Sequence, residues 1–380
     1  MNAIALLGRR DEPTDGVEDY CQWLGHGLAK RGWTLESVRV PWAQKGWRGA
    51  LGWLSREAKS WRGRRVLVQY TALGWSRRGF PLGLLAVLWI LRRRGARCVM
   101  VFHDLTYPGN HWMARFRRSL QSRVMRAAYR WSEHSILTLT LDKATWLPSA
   151  RGKAVFIPVG ANIPSLNDIV QEGFVRARAS FPTVAVFGVS TWPSAQRQEI
   201  MAIVYALRSA TAHLRKVGLV VMGRGATEAE AALRQGLEGS SVSLTVCGLL
   251  SSREIGVRLA DCDVLLFARG ALSTRRSSGL AALACGLPVV AYQHEETGFP
   301  LTEGGILFAP RDDLFLLADQ LTKVLLDSDL RDHLGARNQA IFREWFAWDR
   351  IAEQFVRALD NMDPQAPARK GLEIPAPHIR

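Results

Sequence analysis

The stretch DVLLFARGALSTRRSSGLAALACGLPVVAY, residues Asp263–Tyr292, contains one complete strand–loop–helix–strand unit. Its apolar runs Val264–Ala268 and Val289–Tyr292 are each long enough for one buried strand. Small residues dominate Gly279–Cys285 between them, which predicts a short helix that a glycine and a proline then end. Two buried strands joined through a helix are typical of parallel sheets, so the stretch predicts a βαβ unit.

The loop Leu272–Ser278 follows the first of these strands, at the edge of the sheet where open α/β proteins bind ligands. Arg275 and Arg276 offer guanidinium groups for an anion. Hydroxyls and backbone N–H groups at the start of the helix add donors where the helix dipole favours negative charge, and they belong to Ser277, Ser278 and Gly279. We therefore predict a diphosphate site. An exposed basic loop without a ligand explains the same residues, and both interpretations stay open on this stretch alone.

The alternation of strands and helices continues through both halves of the chain. A chain of 380 residues is too long for one ordinary core, so we expect two domains. The predicted fold class is α/β, with two Rossmann-like domains that each hold a parallel sheet between helices. The predicted divisions are a first domain at 1–164, a linker at 165–182, a second domain at 183–345, a terminal helix at 346–361 and a Pro-rich tail, expected to be disordered, at 362–380.

Positive charge is concentrated in the first half of the chain. Residues 1–170 contain 27 Lys and Arg against 11 Asp and Glu, whereas residues 171–380 contain 23 of each. The whole formal charge of +16 therefore lies before residue 171, together with 11 of the 14 tryptophans. Anionic lipid headgroups or a polyanionic acceptor are the partners that we expect for this half, and nucleic acid is the rival.

The cysteines and the apolar runs exclude several classes of protein. The five cysteines form no CxxC pair and no Cys/His cluster, so we expect buried reduced thiols in a cytosolic protein and no metal site. The N-terminus MNAIALLGRRDEP turns polar too soon for a signal peptide. The longest apolar run, Phe80–Leu91, has 12 residues and falls short of the ~20 that span a bilayer, so we expect no transmembrane helix.

The segment His111–Trp131 predicts a basic amphipathic helix. Its apolar stripe at helical spacing consists of Trp112, Phe116, Leu120, Val124, Ala128 and Trp131. The arginines beside that stripe are Arg115, Arg118, Arg123, Arg126 and Arg130. We expect the stripe to pack on the core and the arginines to meet a membrane. A helix that lies flat on an anionic membrane is the alternative.

The second half resembles the family-4-type glycosyltransferases in five segments that occur in that family's order. They are Leu219–Met222 followed by Gly223 and Gly225, V-C-G at Val246–Gly248, A-D-C-D-V-L-L-F at Ala260–Phe267, A-C-G-L-P-V-V-A at Ala284–Ala291 and G-G-I-L-F-A-P at Gly304–Pro310. The W-D-x-I-A motif at Trp348–Ala352 stands near the point where that family's terminal helix crosses back to the first domain. The resemblance covers roughly residues 1–360 and implies the GT-B arrangement, in which two Rossmann-like domains face a cleft.

This resemblance implies a function for each half. The first domain would bind the acceptor and the second the nucleotide sugar, and a sugar would move from a nucleotide-diphosphate donor to the acceptor with retention of configuration. The family implies no cofactor, and we expect no nucleic acid partner. A basic, Trp-rich first domain fits a glycan or lipid-linked acceptor of cell-envelope or exopolysaccharide synthesis. We therefore expect a cytoplasmic protein in peripheral contact with the inner face of a membrane.

The resemblance also implies site residues outside the basic loop. His103 and Asp104, which follow a predicted strand, are the expected catalytic residues, with His103 facing the sugar. The loop Thr14–Gly16, Arg224 and Gly248 stand at positions expected to contact the donor. Structural alternatives stay open for several of them. His103 can be held by its neighbour for packing alone, Asp104 can start a turn, Gly16 can belong to an ordinary turn with a helix-capping aspartate, and Arg224 can be solvated.

The chain departs from the family at two places. The family carries two glutamates eight residues apart, the second of which typically binds the nucleotide ribose, and here those positions hold Ser273 and Ala281. The first loop of the second domain, Gly188–Ser190, lacks the family's usual arginine, and only Arg197 is nearby. We hypothesise that the arginine pair of the basic loop supplies the missing positive charge.

Two other functions stay open. The same fold hosts nucleotide-sugar epimerases, which would need acid and base carboxylates in the cleft of the second domain, and Ser273 and Ala281 argue against a full set. A non-catalytic protein that binds nucleotide sugars or polyanions would also fit the missing glutamates. Salt dependence separates a polyanion binder from a buried diphosphate site, because only the former loses affinity steeply between low and physiological salt.

Overall fold

The computed structural model describes residues 1–11, 15–104, 112–149, 151–173, 180–270 and 272–360. Strands in these ranges form two parallel sheets of six strands each. The predicted fold class, α/β with two Rossmann-like units, is therefore confirmed. Thr14, the start of the predicted helix at His111 and the predicted tail at 362–380 lie outside the described residues.

The first sheet has the strand order β2-β1-β3-β4-β5-β6. Its strands are β1 (Asn2–Leu7), β2 (Thr34–Arg39), β3 (Arg65–Tyr70), β4 (Arg97–Phe102), β5 (His134–Leu137) and β6 (Ala154–Phe156). The helices between them are α1 (Gly16–Ala29), α2 (Trp42–Glu57), α3 (Gly83–Arg93) and α4 (Trp112–Trp131). All six residues of β3 are buried, because helices cover both faces of a parallel sheet.

A short helix lies inside the segment predicted as a linker. This helix, α5 (Leu166–Gln171), begins with a capping box in which the Ser165 hydroxyl accepts from the Asp168 backbone N–H and the Asp168 carboxylate accepts from the Ser165 backbone N–H. The S-x-x-D pattern was visible in the sequence, but the weak apolar periodicity around it favoured a linker. The division at 165–182 stays a prediction.

The second sheet has the strand order β12-β11-β10-β7-β8-β9. Its strands are β7 (Thr183–Phe187), β8 (Val217–Met222), β9 (Val242–Gly248), β10 (Val264–Phe267), β11 (Val289–Gln293) and β12 (Ile306–Pro310). The helices are α6 (Pro193–Thr211), α7 (Ala226–Leu237), α8 (Ser252–Ala260), α9 (Ser277–Ala284), α10 (Leu314–Leu326), α11 (Ser328–Ile341) and α12 (Trp348–Asp360), with a π-helical turn at Phe342–Phe346. The order of connections reverses between β7 and β10, so the carboxyl ends of these two strands form the switch point at which open sheets bind ligands.

The last helix, α12, crosses back to the first half of the chain and packs against α1. The indole of Trp348, at the start of α12, donates a hydrogen bond of 2.7 Å to the carbonyl of Ala161. The guanidinium of Arg65 in β3 donates one of 3.1 Å to the carbonyl of Leu359 near its end. This helix therefore ties the C-terminal end of the described chain to the first sheet, as predicted.

The aromatic residues at the start of α4 do not pack on the core. Val124 and Ala128 in the second half of the helix are buried, but the side chains of Trp112 and Phe116 are 75% and 56% exposed. The expectation of a stripe that faces the core throughout is therefore wrong for the first turns. Trp131 in the last turn is also 36% exposed, and the buried face of α4 consists instead of Ala114, Gln121, Val124, Met125, Ala128 and Tyr129.

The contact between α1 and α12 predicts opposite effects for two glycines of one helix. A Cβ at Gly27 would lie 2.9 Å from the Cβ of Ala352 and 3.0 Å from the carbonyl oxygen of Trp348, whereas a Cβ at Gly25 meets its nearest atom at 3.7 Å. We expect Gly27→Ala to lower the free energy of unfolding by about 1–3 kcal/mol through overpacking. Gly25→Ala should raise it by up to about 1 kcal/mol, since alanine favours helix. Urea denaturation of both variants measures this, and equal effects would mean that α12 does not pack closely on α1.

Candidate functional site

The carboxyl edges of the two sheets face each other across a cleft. The guanidinium of Arg224, after β8, lies 3.0 Å from a carboxylate oxygen of Asp11, after β1. The hydroxyl of Thr274, in the predicted basic loop, donates a hydrogen bond of 2.6 Å to the carbonyl of Thr138, after β5. Residues that follow strands of both sheets therefore meet in one place, as ligand-binding residues of such folds do.

Within the basic loop, Arg275 is already paired. Its guanidinium donates hydrogen bonds of 2.7 and 3.0 Å to the carboxylate of Glu296 and lies 3.6 Å from the carboxylate of Asp104. Burial acts to raise the pKa of Glu296, but the hydrogen bonds and charge of Arg275 more than offset it, and the net pKa lies below its usual range. Arg275 therefore holds two loops together, and its donors are largely used before any ligand arrives.

Two other arginines of the cleft have no carboxylate partner. In the described part of the chain, neither Arg276 nor Arg269, which follows β10, forms an ion pair or a side-chain hydrogen bond, and the Nε atom of Arg276 is buried. Burial, the charge of Arg275 and the charge of Arg269 lower the pKa of Arg276 to about 10. Half-buried cations without partners are costly, so this is the place in the cleft where an anion is most strongly favoured.

Arg269 reaches the loop that lacks the family's arginine. A Cβ at Gly188 would lie 3.2 Å from a guanidinium nitrogen of Arg269, so this side chain runs along the first loop after β7. In the same loop the backbone N–H of Ser190 donates a hydrogen bond of 2.6 Å to the buried carboxylate of Glu199. Burial raises the pKa of Glu199, while that hydrogen bond and the charges of Arg269 and Arg276 oppose the shift. Arg269 therefore brings a positive charge to this loop, whose own sequence lacks the arginine expected from the resemblance.

The start of α9 presents free backbone donors to the same region. The N–H groups of Ser277 and Ser278 make no hydrogen bond within the described residues, as is normal for the first turn of a helix. Both side chains are partly accessible. Gly279 is buried, and a Cβ there would overlap the Leu272 side chain. Ser277 and Ser278 can therefore contact an anion, whereas Gly279 is needed for close packing.

The alternative of an exposed basic loop is wrong. Ser273 and Thr274 are buried, and Arg275 and Arg276 are partly buried. The hydroxyl of Thr297, after β11, donates a hydrogen bond of 2.8 Å to the Leu272 carbonyl and fixes the start of the loop. This segment is therefore an ordered wall of the cleft.

An open cavity of about 370 Å³ lies next to these arginines, at the carboxyl ends of β8 and β9. It is lined by Thr191, Gly223, Arg224, Gly225, Thr227, Glu228 and Leu249. Gly225 has φ +78 and caps α7, and a Cβ there would overlap the Val189 carbonyl, so only glycine lets the two loops approach. Gly248 is close to this wall, since a Cβ there would lie 3.1 Å from the Thr227 hydroxyl.

On the first sheet, His103 and Asp104 lie at the end of β4 as predicted, but they are held differently. The His103 ring is buried, and its Nε2 is 2.8 Å from the side-chain oxygen of Gln69. Asp104 accepts a hydrogen bond of 2.9 Å from the backbone N–H of Ala72 and faces Arg275. The interpretation that Asp104 holds His103 has no support in these contacts, because Gln69 takes that place.

Gly16 borders the same edge of the first sheet. The carboxylate of Asp15 accepts hydrogen bonds of 3.1 and 3.3 Å from the N–H groups of Val17 and Glu18, so Asp15 is the N-cap of α1. Gly16 is exposed, and a Cβ there would meet no atom within 4 Å. The turn is an ordinary capped one, and the space in front of it is open.

The structure brings the predicted residues to one cleft and adds two that sequence reasoning missed. Arg269 and Glu296 each follow a buried strand, β10 and β11, at its carboxyl end. The rule that selected His103 also applies to both positions. The signal is weak because Arg269 and Glu296 lie two and three residues beyond the ends of their strands, and Glu296 stands among other polar residues. Which of these residues contact a ligand stays a prediction.

Residues 183–327 match the family model Glycosyl transferases group 1. Comparison with curated proteins gives no match. The match covers the second sheet and the cleft residues that follow its strands. Together with the fold, it confirms the predicted resemblance to GT-B glycosyltransferases and supports sugar transfer from a nucleotide sugar.

Solved structures of the same fold include enzymes with different reactions. A sucrose-phosphate synthase from Thermosynechococcus elongatus has a TM-score of 0.67 at 18% identity, over 95% of this chain and 99% of that one. Anabaena Alr3699/HepE in complex with UDP and glucose has a TM-score of 0.66 at 15% identity, over 95% and 100%. A protein of Listeria monocytogenes described as a UDP-N-acetylglucosamine 2-epimerase has a TM-score of 0.64 at 11% identity, over 98% and 99%. At these identities the likeness shows a shared fold.

The described residues give no indication of a metal site or of a membrane span. The described residues contain no group of three or more His, Cys, Asp or Glu that could hold a metal ion. No helix among them is both long and apolar enough to cross a bilayer.

The pair of Arg275 and Glu296 predicts a pH-dependent loss of stability. Because the folded-state pKa of Glu296 is lowered, its contribution is complete above the unfolded pKa near 4.5 and is lost as pH falls through the folded pKa. We expect Glu296→Gln to lower the free energy of unfolding by about 1–3 kcal/mol at pH 7. The difference in free energy of unfolding between this variant and the unsubstituted protein should narrow below pH 4.5. Urea midpoints across this range measure it, with Glu295→Gln as the control, and a gap that stays constant would contradict the pairing.

Proposed function

We propose that this protein is a glycosyltransferase that moves a sugar from a nucleotide-diphosphate donor bound in the cleft to an acceptor held by the first half. One observation carries the proposal: Arg269 and Arg276 lie half-buried at the switch point without a carboxylate partner. The free N–H groups of Ser277 and Ser278 lie at the start of the helix that follows. Two cations beside a helix N-terminus match a diphosphate better than a single-charged ligand.

The three parts of the donor would occupy three neighbouring regions of the cleft. The diphosphate would contact Arg269, Arg276 and the first turn of α9. The nucleoside would enter the 370 Å³ cavity, whose wall includes Arg224 and Gly225. The sugar would extend toward His103 and Gly16 on the first sheet. This order agrees with the predicted division into an acceptor domain at 1–164 and a donor domain at 183–345.

In this arrangement the arginines act on the leaving group. As the glycosidic bond breaks, negative charge grows on the departing diphosphate, and preorganised cations in a cleft with little water stabilise it. Arg275 supports the loop that carries Arg276, because Glu296 and Asp104 fix its side chain. Both of these carboxylates are engaged by Arg275. The donor phosphate can then accept the proton of the acceptor hydroxyl, which fits retention of configuration.

The acceptor side carries an exposed surface of aromatic and basic residues. The residues of α4 on this surface are Trp112, Arg115, Phe116, Arg123, Arg126 and Arg130. On the neighbouring α3, Trp89 is 51% exposed and stacks with the guanidinium of Arg93 at 4.5 Å. Residues 72–132 contain twelve arginines and one acidic residue, Asp104, which faces the cleft. This surface, which we call the α3–α4 surface, fits the headgroup region of an anionic membrane.

We accordingly place the protein at the cytoplasmic face of a membrane, with a glycan or lipid-linked acceptor of cell-envelope or exopolysaccharide synthesis. The N-terminal turns of α4 lie at the carboxyl edge of the first sheet, the same edge that faces the cleft. A membrane held against the α3–α4 surface would therefore lie close to the acceptor side of the site. This geometry favours an acceptor presented by the membrane.

Nucleotide binding tests the donor site. We expect one of UDP, GDP and ADP to bind, and Arg269→Met and Arg276→Met each to weaken it about tenfold to a hundredfold, since each removes a charge-assisted hydrogen bond to phosphate. Calorimetry measures the dissociation constants. Arg234→Met, which removes an exposed arginine paired within α7, is the matched control and should leave binding unchanged. Unaltered affinity in both cleft variants would refute the donor site.

The two alternative functions, epimerase and polyanion binder, predict different results in assays of the same protein. An epimerase would convert a nucleotide sugar without an acceptor and without release of nucleoside diphosphate. A polyanion binder would bind heparin with a steep loss of affinity between low and physiological salt, and Arg269→Met would matter no more than Arg234→Met. A glycosyltransferase releases nucleoside diphosphate when acceptor is present.

Vesicle binding tests the membrane contact. Replacing Arg115, Arg123 and Arg130 together by glutamine should weaken binding to vesicles of phosphatidylglycerol and phosphatidylcholine by about a hundredfold, because each arginine near the surface contributes about 1 kcal/mol. Co-sedimentation measures the partition. The matched control replaces three exposed arginines of the second half, Arg234, Arg253 and Arg357, and has the same net charge. Equal losses in both variants would contradict a defined surface.

A further inference from the structure

A buried glutamine makes the only side-chain hydrogen bond that His103 has among the described residues. Gln69 lies in β3 and His103 directly after β4, and these strands pair in parallel. The backbone N–H of His103 donates to the carbonyl of Tyr70 and extends this pairing by one residue. The ring Nε2 is then 2.8 Å from the Gln69 side-chain oxygen. Both side chains are buried, at 9% and 2% exposure, so the contact is shielded from water.

The orientation of the glutamine amide decides which ring nitrogen carries the proton. The Gln69 amide nitrogen donates a hydrogen bond of 3.3 Å to the carbonyl of Leu67. The flipped amide would place its oxygen against that carbonyl oxygen, and neither atom can donate a hydrogen bond to the other. The amide oxygen therefore faces His103, and because this oxygen can only accept, Nε2 of the ring must donate.

The surroundings keep the ring neutral. Burial lowers the pKa of His103 to about 4, with the charge of Arg275 acting in the same direction and that of Asp15 opposing it. The ring of Tyr20 packs edge-on at 4.8 Å and adds no charge. A neutral ring with its proton on Nε2 has a lone pair on Nδ1.

The described residues offer no partner to Nδ1. The recess that His103 borders with Asp104 and Thr138 is too small for a water molecule, but Nδ1 is not among the fully buried unpartnered side-chain atoms of the described residues and is therefore accessible. Its hydrogen bonds and ring contacts within the described part of the chain are those with Gln69, Tyr70 and Tyr20, and none of them engages Nδ1. This nitrogen is therefore a fixed acceptor at the sugar end of the site.

We propose that Gln69 is a positioning residue that locks His103 in the Nε2–H tautomer, so that Nδ1 accepts a hydrogen bond from a free hydroxyl of the donor sugar. The proposal rests on the proposed function. The proposal makes that function more specific, because it names the group that Nδ1 recognises. This group is a neutral hydroxyl, and not a carboxylate or phosphate, which would bring a second acceptor against Nδ1. A donor sugar that lacks this hydroxyl loses the contact.

The tautomer can be read directly from the ring nitrogens. The protein labelled with ¹⁵N-histidine contains eight histidines, and His103→Gln assigns the signal. We expect the two nitrogens of His103 to show one protonated and one unprotonated shift at neutral pH, with the proton on Nε2. Gln69→Met should abolish this preference, and Gln121→Met, which removes another buried glutamine of the same half, should leave it unchanged. A proton on Nδ1 in the unsubstituted protein would overturn the proposal whether or not a variant folds.

Turnover separates positioning from packing. Gln69→Met should lower kcat/KM about three- to tenfold, the effect of one lost hydrogen bond, with the nucleotide dissociation constant unchanged. In Gln69→Glu a carboxylate faces Nε2–H and raises the pKa of the ring, so Nδ1 carries a proton below that pKa and can no longer accept. Activity should therefore fall at lower pH and recover as pH rises. A pH profile identical to that of the unsubstituted protein would overturn the proposal.

These readouts distinguish two failures. If no nucleotide binds and no sugar is transferred, the proposed function fails, while the ¹⁵N shifts still test the tautomer. If nucleotide binds and sugar is transferred but the Gln69 variants leave the shifts and the pH profile unchanged, only the positioning role fails.

Discussion

The unequal pairing of the arginines in the cleft is the constraint on which the other features depend. Arg275 is neutralised by Glu296 and Asp104, whereas Arg269 and Arg276 have no carboxylate partner in the described part of the chain. The buried carboxylate of Glu199 offsets part of this charge from a distance, but neither guanidinium has a hydrogen-bonded counter-ion among the described residues, and taking such a cation out of water costs several kcal/mol. The paired arginine and the unpaired ones therefore have different roles: the first orders the loop, and the others are available to an anion.

This charge is placed by topology. The carboxyl ends of β7 and β10 form the switch point of the second sheet, and the residues after them are the Gly188 loop and Arg269. The first sheet faces this point with His103, whose neutral ring has no charge to compete for the diphosphate. The α12 helix fixes the C-terminal end of the described chain to the first sheet through Trp348 and Arg65. In the proposed arrangement, anion, sugar and acceptor have separate walls in one cleft.

Much of the fold could be predicted from the sequence, because apolar runs and helical spacing reflect burial, and burial is local to each element. The βαβ unit at 263–292 follows from such patterns, whereas the return of the last helix was expected only from the family resemblance of the W-D-x-I-A motif. The site was predicted less completely. The partner of Arg275 is Glu296, 21 residues away, and the partner of His103 is Gln69, 34 residues away, and no spacing rule connects residues that only the sheet brings together. The exposure of Trp112 was missed because a periodic stripe does not say which of its members a neighbouring element covers.

The most direct test of the central claim is a crystal structure of this protein with the nucleoside diphosphate that binds it. The account predicts phosphate oxygens within hydrogen-bond distance of Arg269, Arg276 and the N–H groups of Ser277 and Ser278, with the pair of Arg275 and Glu296 intact. A diphosphate bound elsewhere, or one that displaces Glu296 to reach Arg275 while Arg269 stays free, would contradict it.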